Sequence, residues 1–187
     1  MIDEISRRRF EQLALVHLDA AYNLARWLTR NDHDAQDVVQ ESLLRAMRYF
    51  GSFRGDAFRP WLLSVVRHAC YDWLKSNRPA ELVWLDDDEH DDFQAAIPTS
   101  EEPSEVAMRN ADRARIDRAI ASLPVDYREV LVLRELEDMS YKEIARIADI
   151  PIGTVMSRLS RARGLLREAL QITRPTLRPV RTGGKAS

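Results

Sequence analysis

The stretch SYKEIARIADIPIGTVMSRLSRARGLLR, residues 140–167, reads as two helices joined by a tight turn. Ser140, followed three residues later by Glu143, forms a capping box, which satisfies backbone donors at the start of the first helix. Ile144, Ile147 and Ala148 give that helix an apolar stripe, and small Ala145 lets a neighbouring helix come close. Asp149 falls where the chain must turn, and short polar side chains tolerate left-handed backbone. Pro151 blocks continuation of the helix, Gly153 loosens the corner, and Thr154 is placed to cap the second helix.

At about 100° per residue, Val155, Leu159, Ala162, Leu166, Ala169 and Leu170 share one side of the second helix and form its core face. Ser157, Ser160, Arg161, Gly164 and Arg167 lie opposite, flanked by Met156, Arg158 and Arg163. Small hydroxyls and a glycine let such a helix sit close to base edges, while arginines reach phosphates or guanine. A solvated basic face is the ordinary reading of a charge run. The turn chemistry and the small residues on the polar face outweigh it, so the pattern points to a helix-turn-helix and to nucleic acid as partner.

The composition is that of a water-soluble chain: 187 residues, 45% hydrophobic and 31% charged. A single cysteine, Cys70, leaves no disulfide framework and no cysteine cluster for zinc. A charged start without a signal peptide, and no apolar run of membrane-spanning length, predict a cytoplasmic protein that does not insert into membranes. The net charge of −2 conceals a strong asymmetry. Between Pro79 and Glu105 stand ten acidic residues and no lysine or arginine, so the rest of the chain carries +8.

That acidic segment holds Pro79, Pro98 and Pro103, shows no sustained periodicity, and reads as a flexible linker. Trp84, within ELVWL, is unusual for a spacer and suggests a small docking anchor. The fold class expected is all-α: two small helical domains, residues 6–78 and 106–172, joined by the acidic linker 79–105, with a basic disordered tail over 173–187. In the first domain one helix is predicted from Arg7 to about Arg30. A second opens at Asp34 and turns Val38, Val39, Leu43, Ala46, Met47 and Phe50 inward. The third pairs Trp61, Leu62, Val65, Val66, Ala69, Cys70, Trp73 and Leu74 every four residues. Outside that stripe lie Arg59, Ser64, Arg67, His68, Tyr71, Asp72 and Lys75. Aromatic and basic side chains on an exposed helix face can stack on unpaired bases and hold phosphates, although a mixed solvent face has the same composition.

Residues 34–74, DAQDVVQESLLRAMRYFGSFRGDAFRPWLLSVVRHACYDWL, and 123–170, LPVDYREVLVLRELEDMSYKEIARIADIPIGTVMSRLSRARGLLREAL, together resemble regions 2 and 4 of a sigma factor. The type resembled is the group 4, or extracytoplasmic-function, type of the sigma-70 family of bacterial RNA polymerase. Both segments in this order and spacing carry the resemblance across about residues 10–170.

The resemblance implies a promoter-specificity subunit rather than an enzyme, with core RNA polymerase and promoter DNA as partners and no cofactor. Asp37, Gln40, Glu41 and Leu44 would dock on the clamp helices of the largest polymerase subunit. The flap of the polymerase would be a second contact. Phe53, Arg54, Arg67, His68 and Tyr71 would open the minus-10 element and capture a flipped base. Thr154, Met156, Ser157, Arg158, Ser160, Arg161, Arg163 and Arg167 would serve the minus-35 groove. The acidic linker would thread the polymerase cleft, and an anti-sigma factor is the family's expected inhibitor. His68, Met156 and Ser160 depart from the residues common in relatives, so promoter preference is expected to diverge there.

No catalytic or metal constellation competes. There is no phosphate-binding Gly-rich loop, and His17, His33, His68 and His90 lack ligand spacing. Two other readings stay open on the residues alone: a helix-turn-helix regulator acting without replacing sigma, and an interaction protein whose basic face is incidental.

Overall fold

Asp3 opens the first helix by accepting a hydrogen bond from the Ser6 amide at 2.9 Å, the geometry of an N-cap. The computed structural model describes residues 3–55, 57–80, 82 and 105–172, with the side chains of 105–110 and 172 set aside. Eight α-helices are present among them: α1 Glu4–Val16, α2 Leu18–Thr29, α3 Asp32–Tyr49, α4 Phe58–Asn77, α5 Glu105–Ser122, α6 Val125–Glu135, α7 Tyr141–Ala148 and α8 Ile152–Ile172. Most of the expected linker, with Trp84, and the expected tail over 173–187 fall outside the described residues.

The single helix expected over Arg7–Arg30 is two. At His17 the backbone leaves helical geometry (φ −114°, ψ 10°) and its amide donates to Ala14 at 3.0 Å. The imidazole stacks against Phe58, with ring centroids 6.0 Å apart. No glycine or proline marks the break, so tertiary packing makes it. Helix α3 begins two residues before the expected start, because Asn31 caps it by accepting from the His33 and Asp34 amides at 2.8 and 3.0 Å.

Helices α2, α3 and α4 pack on one another, and α6, α7 and α8 do likewise. Phe10, Phe50 and Phe58, with Ala14, Ala46 and Leu62, fill a small aromatic core at one end of the first group. The larger core runs without interruption from Leu24, Val38, Val66 and Leu74 into Leu131, Leu133, Ile144 and Leu159. The two helical units are therefore packed against each other, α4 along α7 and α2 against α6. This accounts for α6, where Val130, Leu131, Val132 and Leu133 are all buried although four consecutive helical positions cannot share one face. Arg128, also buried, turns back to donate to the Ala121 carbonyl at 2.8 Å and the Leu123 carbonyl at 3.1 Å, closing the end of α5.

Candidate nucleic-acid and polymerase interfaces

The helix-turn-helix is formed by α7 and α8. Ser140 and Glu143 make the expected capping box in both directions, and these hydrogen bonds hold the Glu143 carboxyl below its ordinary value. Asp149 sits in left-handed backbone at φ 55°, ending α7, and Pro151 follows. Helix α8 opens at Ile152, so Thr154 lies inside its first turn rather than capping it. Its carbonyl accepts from the Ser157 hydroxyl at 3.1 Å.

Val155, Leu159, Ala162 and Ala169 are buried against α5, α6 and α7. Met156, Ser157, Ser160, Arg161 and Arg167 are exposed, Met156 to 52%. Exposed Arg161 donates to the Tyr127 hydroxyl at 3.4 Å, and the remaining two arginines of the expected set, Arg158 and Arg163, are held by carboxylates of α6. Arg158 turns inward, 3.5 Å from the carboxylate of Asp126 on α6, and its side chain is only 19% exposed. Arg163 chelates Glu135 with two hydrogen bonds of 3.1 and 2.7 Å. Burial raises the Asp126 carboxyl despite the neighbouring cation. These two pairs tie α8 to α6 and set how far the exposed face projects.

On the other unit, Asp37, Gln40, Glu41 and Leu44 stand three or four residues apart, and all are exposed on one face of α3. Leu44, 49% exposed, puts an apolar contact among acids. Arg45 bridges Glu41 at 2.6 Å and Asp72 of α4 at 2.9 Å, which fixes this face relative to α4. Two carboxylates around an exposed leucine, on a rigid helix, suit a basic partner surface with an apolar centre.

The five residues expected at the minus-10 element separate into two groups. Phe53 packs against Trp61 and Phe58 with centroids 5.0 and 5.7 Å apart, and Arg54 donates to the Gly51 carbonyl at 2.9 Å. His68 is exposed on α4, with its Nδ1 2.6 Å from the Ser64 carbonyl. Trp61, Ser64, Val65 and His68 form one accessible stripe beside Phe53.

Arg67 and Tyr71 are not on that accessible face, contrary to the sequence expectation. Tyr71 is buried and Arg67 is 14% exposed, because the Glu129 side chain of α6 reaches over this side of α4. Both donate to Glu129 of α6: the guanidinium in a short, direct pair, the phenol at 3.1 Å. The Arg67 guanidinium also lies over the Tyr71 ring, 4.3 Å from its centroid.

Glu129 is fully buried, and that burial pushes its carboxyl above the ordinary value although Arg67 and Tyr71 oppose the shift. For Arg67 burial works against the charge, but the Glu129 carboxylate prevails and holds it charged. A second clasp lies near the other end of α4. Buried Glu137 accepts from Arg59 at 2.6 Å and from Asn23 of α2 at 3.2 Å. Neither glutamate stands out in the sequence. The one signal was the run 130–133, too apolar for a helix with a solvent face.

Among the described residues no group of three or more His, Cys, Asp or Glu could hold a metal ion, and no helix is long and apolar enough to cross a membrane.

Fold and surfaces together define a helix-turn-helix transcription factor of two packed helical units. The sequence pattern of sigma-70 region 2 matches residues 13–79, and that of sigma-70 region 4 matches residues 113–166. The sigma-H factor of Pseudomonas aeruginosa is 35% identical over 169 residues, 88% of each chain. The ECF sigma-E factor of Haemophilus influenzae is 37% identical over 153 residues, 79% of each. Among solved structures, the sigma factor RpoE of Bartonella quintana, in complex with the anti-sigma factor NepR, superposes with a TM-score of 0.66. It is 27% identical, over 89% of this chain and 99% of that one. CnrH, in complex with the cytosolic domain of CnrY, gives 0.65 at 25% identity, over 90% and 91%. The chain belongs to the ECF group of the sigma-70 family of RNA polymerase sigma factors: it directs core polymerase to promoters and initiates transcription.

Proposed function

We propose how the parts of this chain divide that work. The exposed face of α8, carrying Met156, Ser157, Ser160, Arg161 and Arg167 with Thr154 at its entrance, reads the minus-35 major groove. Arg158 and Arg163 serve it by fixing the helix on Asp126 and Glu135. The face of α3 bearing Asp37, Gln40, Glu41 and Leu44 docks on the polymerase clamp helices. Phe53, Arg54 and His68, beside Trp61, receive the unstacked minus-10 base, whereas Arg67 and Tyr71 are engaged with Glu129 and fix the second unit on α4. Melting then follows from binding energy, since captured bases offset the cost of unstacking. The unit over 6–78 carries docking and melting, the unit over 106–172 carries upstream anchoring, and the acidic stretch 79–105 occupies the polymerase cleft.

The protein acts in the cytoplasm, as a subunit and not an enzyme. An anti-sigma factor of the kind bound to the Bartonella protein is its natural inhibitor. The observation carrying this reading is the exposed serine and arginine face of α8 behind a left-handed Asp149 and Pro151 turn, in one molecule with the acidic α3 stripe. A regulator acting beside sigma would need no such polymerase-facing surface.

Run-off transcription with core polymerase, on DNA from upstream of this chain's own gene, tests the reading. Transcripts that depend on the chain are expected. A stable complex with polymerase that yields none refutes it.

A further inference from the structure

On the reading that the exposed face of α8 enters the minus-35 major groove, we infer that Ile152 and Met156 determine specificity there by packing on the 5-methyl group of thymine. Ile152 is the first residue of α8 and Met156 lies one turn later, so the two side chains are neighbours along one edge of the exposed face. They are 43% and 52% exposed. Among the described residues of α7 and α8 no other large apolar side chain is as open. Single exposed aliphatic residues are ordinary, but an adjacent pair on the reading face of a helix offers the groove an apolar patch.

The cations near that patch are committed elsewhere. Over the first two turns of α8 the one arginine is Arg158, which faces Asp126 of α6. Arg163, farther along the same edge as Ile152 and Met156, is held by Glu135. The adjoining row is low: a Cβ on Gly153 would meet nothing within 4 Å, and the Ser157 hydroxyl is turned onto the Thr154 carbonyl at 3.1 Å. A base edge can therefore come close enough for the pair to touch it. Of the four bases, thymine alone carries an apolar group in the major groove. Purines and cytosine would set a polar edge against Ile152 and Met156 with no partner for it, which is unfavourable. The pair spans one helical turn, about 5.4 Å, against about 3.4 Å between successive bases of a strand, so it covers one thymine or two in succession.

The test uses core polymerase reconstituted with this chain and a labelled duplex from the minus-35 region of a promoter that it transcribes. Each thymine of the element, on either strand, is replaced in turn by deoxyuridine, which removes the methyl and keeps every hydrogen-bonding group. At one position, or at two adjacent ones, binding should weaken about three- to fourfold, the effect of one buried methyl. In the double variant Ile152→Ala, Met156→Ala that penalty should vanish. Met156→Gln, of similar length but polar, serves if the double variant fails to fold, as judged by helical circular dichroism, and should shrink the penalty in the same way.

An element in which no deoxyuridine weakens binding overturns the inference. So does a penalty of equal size in the wild type and the variants, which would place the effect in the shape of the duplex. Arg167→Ala is measured beside them on the unmodified duplex. If it weakens binding while deoxyuridine has no effect, only the methyl contact is lost. If it binds as tightly as the wild type, α8 itself is removed from the groove, and the contact with it.

Discussion

Arg158→Ala separates a positioning arginine from a DNA-contacting one. In the structure Arg158 lies 3.5 Å from Asp126, with the two side chains 19% and 7% exposed. At an effective dielectric of about 20 their gross attraction is about 5 kcal/mol, most of which offsets the desolvation of both charges. Removing one partner leaves Asp126 buried without a cation, and its Oδ1 already has no hydrogen-bond partner. Breaking a buried pair in this way costs about 3–5 kcal/mol. Burial already raises the Asp126 carboxyl, so the variant can relieve the strain by taking up a proton, which places the expected loss near the lower end. At roughly 2–4 °C per kcal/mol for a chain of this size, Tm should fall by roughly 6–12 °C.

Scanning calorimetry measures that fall, and Asp126→Asn combined with Arg158→Met should restore much of it. The second assay is holoenzyme binding to a minus-35 duplex over a range of salt. A lost phosphate contact lowers the salt slope by about 0.9, whereas a lost internal pair leaves it unchanged. Arg158→Ala should leave the slope intact, and Arg167→Ala should reduce it with little change in Tm. The reasoning fails if Arg158→Ala keeps the wild-type Tm and loses a unit of slope.

Three further outcomes follow from the same geometry. Ser140→Ala removes the capping box at the start of α7 and should cost about 1 kcal/mol, a fall of roughly 2–4 °C in Tm; an unchanged Tm would show the cap to be redundant. Asp37→Lys with Glu41→Lys should weaken assembly with core polymerase at least about tenfold, measured by titration, with helical content intact; normal assembly rules out that face. Glu129 gives a pH test. Its folded value is raised by burial, so folding binds a proton there, and the stability this confers is full below about pH 4.5 and lost as pH rises through the raised value. As pH rises above about 4.5 the wild type should therefore lose Tm relative to Glu129→Gln, and a difference that stays constant with pH contradicts the assigned direction.

The sequence makes the periodic and punctuated parts of this protein legible. The capping box, the left-handed Asp149, the apolar side of α8 and the Leu62, Val66, Ala69, Cys70 and Leu74 part of the α4 stripe stand as local chemistry dictates, while Trp61, Val65 and Trp73 of that stripe are only partly buried. What it does not disclose depends on partners far along the chain. The break at His17 comes from packing against Phe58, with no local breaker. Arg67 and Tyr71 fit an exposed face when α4 is read by itself, and they are covered by a helix whose Glu129 stands some sixty residues away. Periodicity reports one buried face of a helix, whereas α4 has two, the second made by α7 and by Glu129 of α6. Likewise Arg158 and Arg161 look equivalent in a basic run until Asp126 singles out the first.

The central claim is that one chain reads two promoter elements through two separate surfaces. Sequencing of transcript ends made in vitro on genomic DNA, by core polymerase reconstituted with this chain, tests it most directly. Start sites should lie downstream of a single two-block motif. Met156→Arg should change only the upstream block and His68→Asn only the downstream one. Starts without a shared motif, or a motif in which neither block responds to its substitution, would contradict the account.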